Sequence, residues 1–440
     1  MPTNSPSPSA IALDPVAHVA CVPALDYADG VLRMDGLALD ALAERFGTPC
    51  YVYSAAAITA AYRAYTDSFA SVPHQICYAV KANSNLAILH LLAQEGAGFD
   101  IVTGGELARV LAAGADPSRV VFSGLGKQPA DIARALEVGI ACFNVESEAE
   151  LARINRVAGE LGRRAPISLR VNPDVDAQTH PYISTGLKEN KFGIGHQDAL
   201  RVYQQAASLP NLDVIGIDCH IGSQLLDAQP FVDALAKIVE LIEALAQTGI
   251  RLQHIDLGGG LGVRYIDEQP VGVAQFAEQL LPTLKRLDMK LYLEPGRSLV
   301  ANAGVLLTRV DILKPSAYKN FAVVDAAMND MIRPALYQAD MGVIPVRLPA
   351  NAKSAEPAKT WDIVGAICET GDFLAKNRVF SLAADDMLAM TGAGAYGFVM
   401  ASNYNSRPRA CEVLIKDGAA HLIRERETVE SLWQLEHIIK

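Results

Sequence analysis

A lysine at the end of an apolar run is the first residue of this sequence that could do chemistry. Residues 76–82 read ICYAVKA, and Lys81 carries the only charge in that stretch. In a strand, Lys81 would share one face with Cys77 and Ala79, two small side chains that leave room beside the ammonium. Such a lysine can act as a nucleophile toward a carbonyl group, although most lysines at strand ends extend into water. The pattern leaves both interpretations open.

Other polar candidates also follow short apolar runs. They include His220, the glycines of DLGGGLG (256–262), and Glu294. A glycine-rich turn after a strand exposes backbone N–H groups that can bind a phosphate, and it can equally be a plain tight turn. These residues would have to be positioned by the elements that precede them.

Eight strand-like runs alternate with helical patterns, which predicts a (β/α)8 TIM-like barrel; a doubly wound open sheet is the alternative. In such a barrel, the active site lies at the carboxyl ends of the strands. One helical stripe consists of Phe231, Leu235, Ile238, Val239 and Ile242. The predicted strands are 76–82, 99–103, 120–124, 141–146, 167–173, 215–222, 254–260 and 290–296.

After about residue 300 the pattern changes to strand-like runs with little helix between them. This indicates a mostly antiparallel β-sandwich or β-barrel C-terminal domain. The predicted domain organisation is a Ser- and Pro-rich disordered tail (1–20), a segment that pairs with the β domain (21–50), the barrel (51–300) and the β domain itself (301–440).

Composition and charge narrow the class of protein. The formal net charge of the 440 residues is -11 and no basic run stands out, so nucleic acid and anionic membranes are poor partners. No apolar run is long enough to span a bilayer, and the N-terminus does not resemble a secretory signal. The 7 cysteines form no CxxC pair, which argues against a disulfide framework or a zinc site. We therefore expect a cytoplasmic enzyme without a metal.

Six motifs occur in order along the chain: YAVKAN, FDIVTGGEL, HIGSQ, DLGGGLG, EPGRSLVANAG and CETGDFLA. Together they resemble the fold-type III PLP-dependent decarboxylases, from about residue 30 to residue 430. Within that family, the motifs are most similar to those of the members that convert meso-diaminopimelate to L-lysine and carbon dioxide, the last step of lysine biosynthesis. The resemblance implies pyridoxal 5'-phosphate as the cofactor and a homodimer with shared active sites.

By that resemblance, Lys81 binds the cofactor covalently and His220 stacks on its pyridine ring. Glu294 would keep the ring nitrogen protonated, which strengthens the electron sink and favours decarboxylation over racemisation. From the residues alone, His220 could also be a buried histidine with its hydrogen bonds satisfied. The phosphate would be held by Ser223, Gly259, Gly260, Pro295, Gly296, Arg297 and Tyr396.

The same resemblance assigns the substrate contacts. Arg333 and Glu369 match the distal carboxylate and ammonium of diaminopimelate, since an arginine fork and an acid suit that end of the molecule. Cys368 would donate a proton after carbon dioxide leaves; a buried structural cysteine is the alternative. The polar segment 180–195 would be a lid over the barrel or a surface loop. The remaining substrate contacts would be Arg297, Tyr337 and Tyr396.

Two other functions remain open. A decarboxylase of ornithine or arginine would share the fold, but Arg333 and the Cys-Glu pair at 368–369 favour diaminopimelate. A non-catalytic carrier of pyridoxal phosphate would keep the barrel with Lys81 and lack the C-terminal β domain, whereas this sequence contains both.

Overall fold

The structure is a computed structural model that describes residues 10–175, 191–349 and 357–439. The predicted lid segment 180–195 therefore lies outside the described residues, apart from its last five positions. Within the described part of the chain, no helix is both long enough and apolar enough to cross a membrane.

The chain divides into two compact units, which we call the barrel unit and the β unit. The barrel unit consists of residues 59–263 and 269–299. The β unit consists of residues 1–58, 264–268 and 300–440. The short segment 264–268 follows the DLGGGLG motif in sequence, yet it belongs to the β unit.

The β unit begins with regular structure near the N-terminus. Asp14 caps a helix at 15–19 by accepting hydrogen bonds from two backbone N–H groups, so these residues differ from the disordered tail expected for 1–20. The strand at 50–54 also belongs to the β unit, across the boundary expected at residue 51. The elements are α1 (Pro15–Val19), β1 (Leu25–Ala28), β2 (Val31–Met34), β3 (Leu37–Ala38), α2 (Leu39–Phe46) and β4 (Cys50–Ser54). The next helix, α3 (Ala55–Ser68), begins in the β unit, and its residues from 59 onward belong to the barrel unit.

The barrel unit contains the closed ring of eight parallel strands that the alternating pattern predicts. Its strands are β5 (His74–Ala79), β6 (Gly98–Ile101), β7 (Val120–Phe122), β8 (Cys142–Val145), β9 (Ala165–Asn172), the two-residue β10 (Ile194–Gly195), β11 (Leu212–Asp218), β12 (His254–Asp256) and β13 (Lys290–Leu293). The ring closes because β13 pairs with β5 and β8 pairs with β9, while β10 only extends the edge of β9.

The candidate residues lie just beyond the strands rather than on them. β5 ends at Ala79, and Lys81 lies in a one-turn 3-10 helix, Val80–Ala82. β11 ends two residues before His220, and β13 ends directly before Glu294. The expectation that Lys81 shares a strand face with Cys77 and Ala79 is therefore wrong, because Lys81 does not continue the strand. The location of Lys81 and His220 at the carboxyl ends of barrel strands agrees with the prediction.

The helices of the barrel unit pack apolar stripes against the strands. In α9, Phe231, Leu235 and Ile238 are buried as predicted. Val239 and Ile242 are only half-buried, and Ala234, Leu241 and Leu245 complete the buried stripe instead, at the spacing that 3.6 residues per turn requires. The helices are α4 (Leu86–Gln94), α5 (Gly104–Ala112), α6 (Pro129–Val138), α7 (Glu148–Glu160), α8 (His196–Ser208), α9 (Gln229–Gln247), α10 (Val273–Leu287) and the short α11 (Arg297–Val300).

The C-terminal part of the β unit is mostly antiparallel, as predicted; among its described strands, β15–β17 and β4–β20 pair in parallel. Its main sheet has the order β18-β17-β15-β14-β4-β20-β21. The N-terminal strands share one apolar core with it, in which Leu32 and Val52 lie with Val305 and Val413. The elements are β14 (Gly304–Lys314), β15 (Asn320–Val324), α12 (Arg333–Tyr337), β16 (Val343–Pro345), β17 (Lys359–Val364), β18 (Phe373–Phe380), β19 (Met387–Met390), β20 (Cys411–Lys416) and β21 (Ala419–Arg424).

The register of α9 generates the first prediction. The rings of Phe231 and Phe276 meet edge to face, 4.9 Å apart between centroids. Phe231→Ala should lower the free energy of unfolding of the barrel unit by about 3–5 kcal/mol, because it leaves a cavity in a packed core. Val239→Ala, on the half-buried side of the same helix, should cost less than half as much. Urea denaturation of both variants measures the difference, and equal costs would contradict the described register.

Candidate active site

Lys81 is held by a buried carboxylate. Its Nζ donates a hydrogen bond of 2.7 Å to Oδ2 of Asp100, on the neighbouring strand β6. The Asp100 side chain is fully buried, whereas that of Lys81 is 40% exposed. The ion pair therefore fixes the amine at the end of the barrel strands while leaving it reachable by a small molecule.

Glu294 follows β13 and is fixed by side chains from other strands of the ring. Its Oε1 accepts hydrogen bonds from Ser123 Oγ and Asn144 Nδ2, both at 3.3 Å. Asn144 is oriented in turn by Ser168, whose hydroxyl donates to its Oδ1 at 2.8 Å. Four strands of the barrel thus set the direction of one buried carboxyl group.

The surroundings of Glu294 make its ionisation sensitive to a neighbouring charge. Burial raises the pKa of Glu294 to about 7, and the negative charge of Asp100 contributes to the rise. Lys81, Arg170 and a hydrogen bond with Asp256 act in the opposite direction. A cation placed beside this carboxyl group would lower its pKa and keep it ionised at neutral pH.

Glu294 belongs to a cluster of three buried acids. One oxygen each of Asp218, Asp256 and Glu294 lies within 4.8 Å of the other two. Burial raises the pKa of Asp218 and of Asp256 well above the usual value, and the charge of Glu294 raises both further. Arg170, which is paired with Glu146 at 2.9 Å, lowers the pKa of Asp218. Because adjacent buried charges are costly, burial and mutual repulsion favour the protonated forms within the cluster.

The glycine turn after β12 is packed so closely that no side chain fits. A Cβ on Gly259 would lie 2.1 Å from the backbone oxygen of Glu294, and one on Gly260 would lie 2.4 Å from that of Gly222. The N–H of Gly259 donates to Nδ1 of His220 at 3.3 Å. Burial, followed by the charge of Arg170, lowers the pKa of His220 well below its usual value, so the ring is neutral.

The EPGR turn (294–297) contacts the turn that contains Lys81 and also Ser223. Gly296 lies against the Lys81 turn, since a Cβ there would be 3.0 Å from Ala79 Cβ. Arg297 is buried, and its Nη2 donates a hydrogen bond of 3.0 Å to Ser223 Oγ. A guanidinium and a hydroxyl beside a glycine turn form the donor set that a phosphate group requires.

The residues of the barrel unit fit pyridoxal 5'-phosphate. An accessible amine can bind its aldehyde, and a buried carboxyl group with a raised pKa can pair with its ring nitrogen. The glycine turn provides the side-chain-free cradle that a phosphate needs for close approach to the backbone. The barrel unit brings together the predicted residues Lys81, His220, Ser223, Gly259, Gly260, Glu294, Pro295, Gly296 and Arg297.

The other five predicted residues belong to the β unit. The Nη1 of Arg333 donates to the hydroxyl of Tyr265 at 2.5 Å, and its guanidinium lies 4.5 Å from the centre of that ring. Arg333 begins α12, and Tyr337 ends it. Tyr396 has a φ of +55°. Residues other than glycine rarely adopt such a backbone angle, and those that do are often found at functional sites.

The CETGD segment is an exposed loop with a braced backbone. Cys368 and Glu369 are both exposed, so the alternative of a buried structural cysteine does not hold. The N–H of Cys368 donates to Asn405 Oδ1 at 2.8 Å, and the Tyr404 hydroxyl donates to the Glu369 carboxylate at 2.9 Å. The buried Asp372 accepts two further backbone N–H groups. The loop therefore presents a thiol and an acid in a fixed arrangement.

The sequence analysis missed Asp100, Asp218 and Asp256. Asp218 and Asp256 are the last residues of β11 and β12, and Asp100 is the penultimate residue of β6. An acid that ends an otherwise apolar strand was the signal that could have identified them.

Comparisons with known proteins show the family to which this chain belongs. Residues 55–301 match the family model described as "Pyridoxal-dependent decarboxylase, pyridoxal binding domain". The diaminopimelate decarboxylase of Pseudomonas aeruginosa is 60% identical over 413 residues, which cover 94% of this chain and 98% of that protein. That of Vibrio cholerae is 56% identical over 412 residues, covering 93% and 98%. The crystal structure of diaminopimelate decarboxylase from Helicobacter pylori complexed with L-lysine has a TM-score of 0.86 and 42% identity, covering 90% of this chain and 99% of that one.

The closed barrel with an accessible lysine, a buried acid and a glycine cradle defines a barrel protein that binds pyridoxal phosphate. The match over more than half of the chain agrees with that class. The chain belongs to the pyridoxal-dependent decarboxylase family and, within it, to the diaminopimelate decarboxylases.

The raised pKa of Glu294 predicts how stability depends on pH. Because its folded-state pKa, about 7, exceeds its ordinary value of 4.5, its contribution to stability is complete below about pH 4.5 and is lost as the pH rises through 7. In the cofactor-free protein, Glu294→Gln should therefore gain about 2 kcal/mol in unfolding free energy relative to wild type between about pH 5 and about pH 8.

Urea denaturation at the two pH values measures this gain. Glu278→Gln, at an exposed position of α10, is the matched control and should show no such change. A constant difference between Glu294→Gln and wild type at both pH values would mean that Glu294 titrates normally.

Proposed function

We propose that this protein removes carbon dioxide from meso-diaminopimelate and releases L-lysine, with pyridoxal 5'-phosphate as its cofactor. The observation that carries the proposal is the buried carboxyl group of Glu294, fixed by two hydrogen bonds at the same end of the barrel as Lys81. Family membership supports it, as do the relatives named diaminopimelate decarboxylase and the relative whose structure contains L-lysine.

Pyridoxal 5'-phosphate, when bound, supplies an electron sink for the electron pair left by the departing carboxylate. Lys81 would hold the cofactor covalently, with Asp100 orienting its amine. Glu294 would pair with the ring nitrogen, since a carboxylate there favours the protonated nitrogen. His220, neutral because burial lowers its pKa, would lie against the ring without adding positive charge.

The remaining roles follow the chemistry of each group. Ser223, Arg297, Tyr396 and the glycine turn would bind the phosphate. Arg333 would pair with the distal carboxylate and Glu369 with the distal ammonium of the substrate, with Tyr337 and Arg297 as further contacts. The Cys368 thiol would donate a proton to the α-carbon after carbon dioxide leaves.

We also propose that two copies of the chain share their active sites. The braced CETGD loop supports this, because Cys368 and Glu369 are exposed on the single chain, whereas protonation of a carbanion requires a site that excludes water. A two-fold arrangement would let each β unit complete the barrel of the other copy. The cysteines within the described residues are all free thiols, which supports a cytoplasmic location.

A substrate panel tests the proposed reaction. The purified protein, supplied with pyridoxal 5'-phosphate, is incubated with meso-diaminopimelate, ornithine or arginine, and the amines released are identified. We expect L-lysine from diaminopimelate, with kcat/KM about 10- to 100-fold above that for ornithine, because the latter lacks the charge-assisted contact of the distal carboxylate. Faster release of putrescine from ornithine would instead favour the alternative substrate class.

Lys81→Ala provides the matched inactive variant. It should lose both turnover and the covalent trapping of pyridoxal phosphate by borohydride, because the side chain that forms the bond is absent. Lys285→Ala, at an exposed position of α10, should retain both. Trapping at full yield in Lys81→Ala would assign the cofactor to a different lysine.

Mixing two inactive variants tests whether sites are shared. In a shared-site dimer, a subunit with Lys81→Ala and one with Cys368→Ala form one intact site and one doubly damaged site. Random exchange of equal amounts makes about half of the dimers mixed, so activity should recover to about a quarter of wild type. With exchange verified by a size tag, no recovery would mean that Cys368 serves its own chain.

A further inference from the structure

Asp256 has no role in the proposed reaction, yet it lies fully buried beside Glu294. Its Oδ1 accepts a hydrogen bond of 2.8 Å from the backbone N–H of Gly258. Among the described residues, no donor reaches its Oδ2, which is also buried. An ionised carboxylate with one oxygen buried and unpaired would be costly.

A proton on Asp256 removes that cost. One carboxyl oxygen of Asp256 lies within 4.8 Å of one of Glu294, and a hydrogen bond between the two side chains raises the pKa of Asp256 and lowers that of Glu294. Two ionised carboxylates only accept, so a bond between them requires a proton on one of the two. Glu294 already accepts hydrogen bonds from Ser123 and Asn144, which favour its ionised form. Asp256 is therefore the partner that carries the proton.

We propose that Asp256 is a positioning residue that keeps its proton at neutral pH and donates a hydrogen bond from Oδ2 to Glu294. The bond would hold Glu294 as the carboxylate that pairs with the ring nitrogen of the cofactor. Only the pairing of Glu294 with the cofactor rests on the proposed function. The proton on Asp256 is inferred from the geometry of the acid cluster.

The charged groups around the pair favour this division of charge. Burial and the negative charges of Glu294 and Asp218 raise the pKa of Asp256. Two cations, Lys81 and Arg170, lower the pKa of Glu294. Asp100, which is paired with Lys81, raises the pKa of Glu294 more than either cation lowers it. Cations nevertheless act on the pKa of Glu294, whereas the charges that act on the pKa of Asp256 are negative.

The titration of Glu294 gives opposite results for a protonated and an ionised Asp256. It is followed by NMR of the full-length, cofactor-free protein with isotope-labelled glutamate carboxyl carbons, and is assigned with Glu294→Gln. Asp256→Leu removes a neutral donor, so the midpoint of Glu294 should rise by about one pH unit. Asp256→Asn retains a donor in its amide, so the midpoint should stay near the wild-type value. If Asp256 were ionised in the wild-type protein, both substitutions would remove a negative charge next to Glu294 and would lower the midpoint of the Glu294 titration.

Infrared spectroscopy and kinetics provide independent readouts. At neutral pH, the infrared spectrum should contain a C=O stretching band from protonated carboxyl groups, and isotopic labelling of aspartate should shift this band. The part of the band that comes from Asp256 should be absent in Asp256→Asn. Asp218→Asn is the matched control and should retain that part. In the holoenzyme, Asp256→Leu should lower kcat about tenfold with little change in KM, and Asp256→Asn should remain close to wild type.

Two results would overturn the inference. One is a lower Glu294 midpoint in Asp256→Asn. The other is a stoichiometric divalent cation in the purified protein, released when the three acids are substituted. Either result means that Asp256 is ionised. If Asp256→Leu does not fold, Asp256→Asn and the infrared band decide. If Glu294→Gln turns over at the wild-type rate while the infrared band assigned to protonated Asp256 is present, Asp256 is protonated as proposed. Only the role proposed for Glu294 would then be wrong.

Discussion

The cost of removing charges from water determines how the barrel end of this protein is built. Each ionised group buried without a partner would cost several kcal/mol. The ion pairs Lys81–Asp100 and Arg170–Glu146 give the buried Asp100, Arg170 and Glu146 partners of opposite charge, and the proton proposed on Asp256 would neutralise part of the acid cluster. The same cost makes the ionisation of Glu294 respond strongly to a cation beside it. This sensitivity is what the proposed pairing of Glu294 with a protonated ring nitrogen requires.

Closure of the barrel brings these groups within reach of one another. Ser123 and Asn144 are separated from Glu294 by 171 and 150 residues along the chain, yet both donate hydrogen bonds to the same oxygen. Parallel strands place all their carboxyl ends at one end of the ring, so short loops suffice to assemble the site. Glycine allows the loop after β12 to approach the backbone of Glu294 more closely than any side chain would permit.

The β unit contributes chemistry of a different kind. Its functional candidates lie on short, braced segments: Arg333 on the ring of Tyr265, and Cys368 and Glu369 on a loop fixed by side-chain hydrogen bonds. Such bracing lowers the entropy lost when a ligand binds. The roles proposed for Arg333, Glu369 and Cys368, to bind the charged distal end of the substrate and to donate a proton, require groups held in place in this way.

The sequence by itself determined the barrel, the β domain and the family, because periodicity and motif order are properties of neighbouring residues, and it proposed Lys81, His220 and Glu294 as site residues. Only the tertiary structure decided that Lys81 leaves the strand for a one-turn helix and pairs with Asp100. It also decided the phase of the α9 stripe, the exposure of Cys368 and the grouping of three acids. These features depend on how distant strands meet and on how much water reaches each group. Burial shifts the pKa of each acid, and burial arises here because strands more than two hundred residues apart in the sequence pair to close the barrel. The order of residues along the chain does not show which of them become buried in this way.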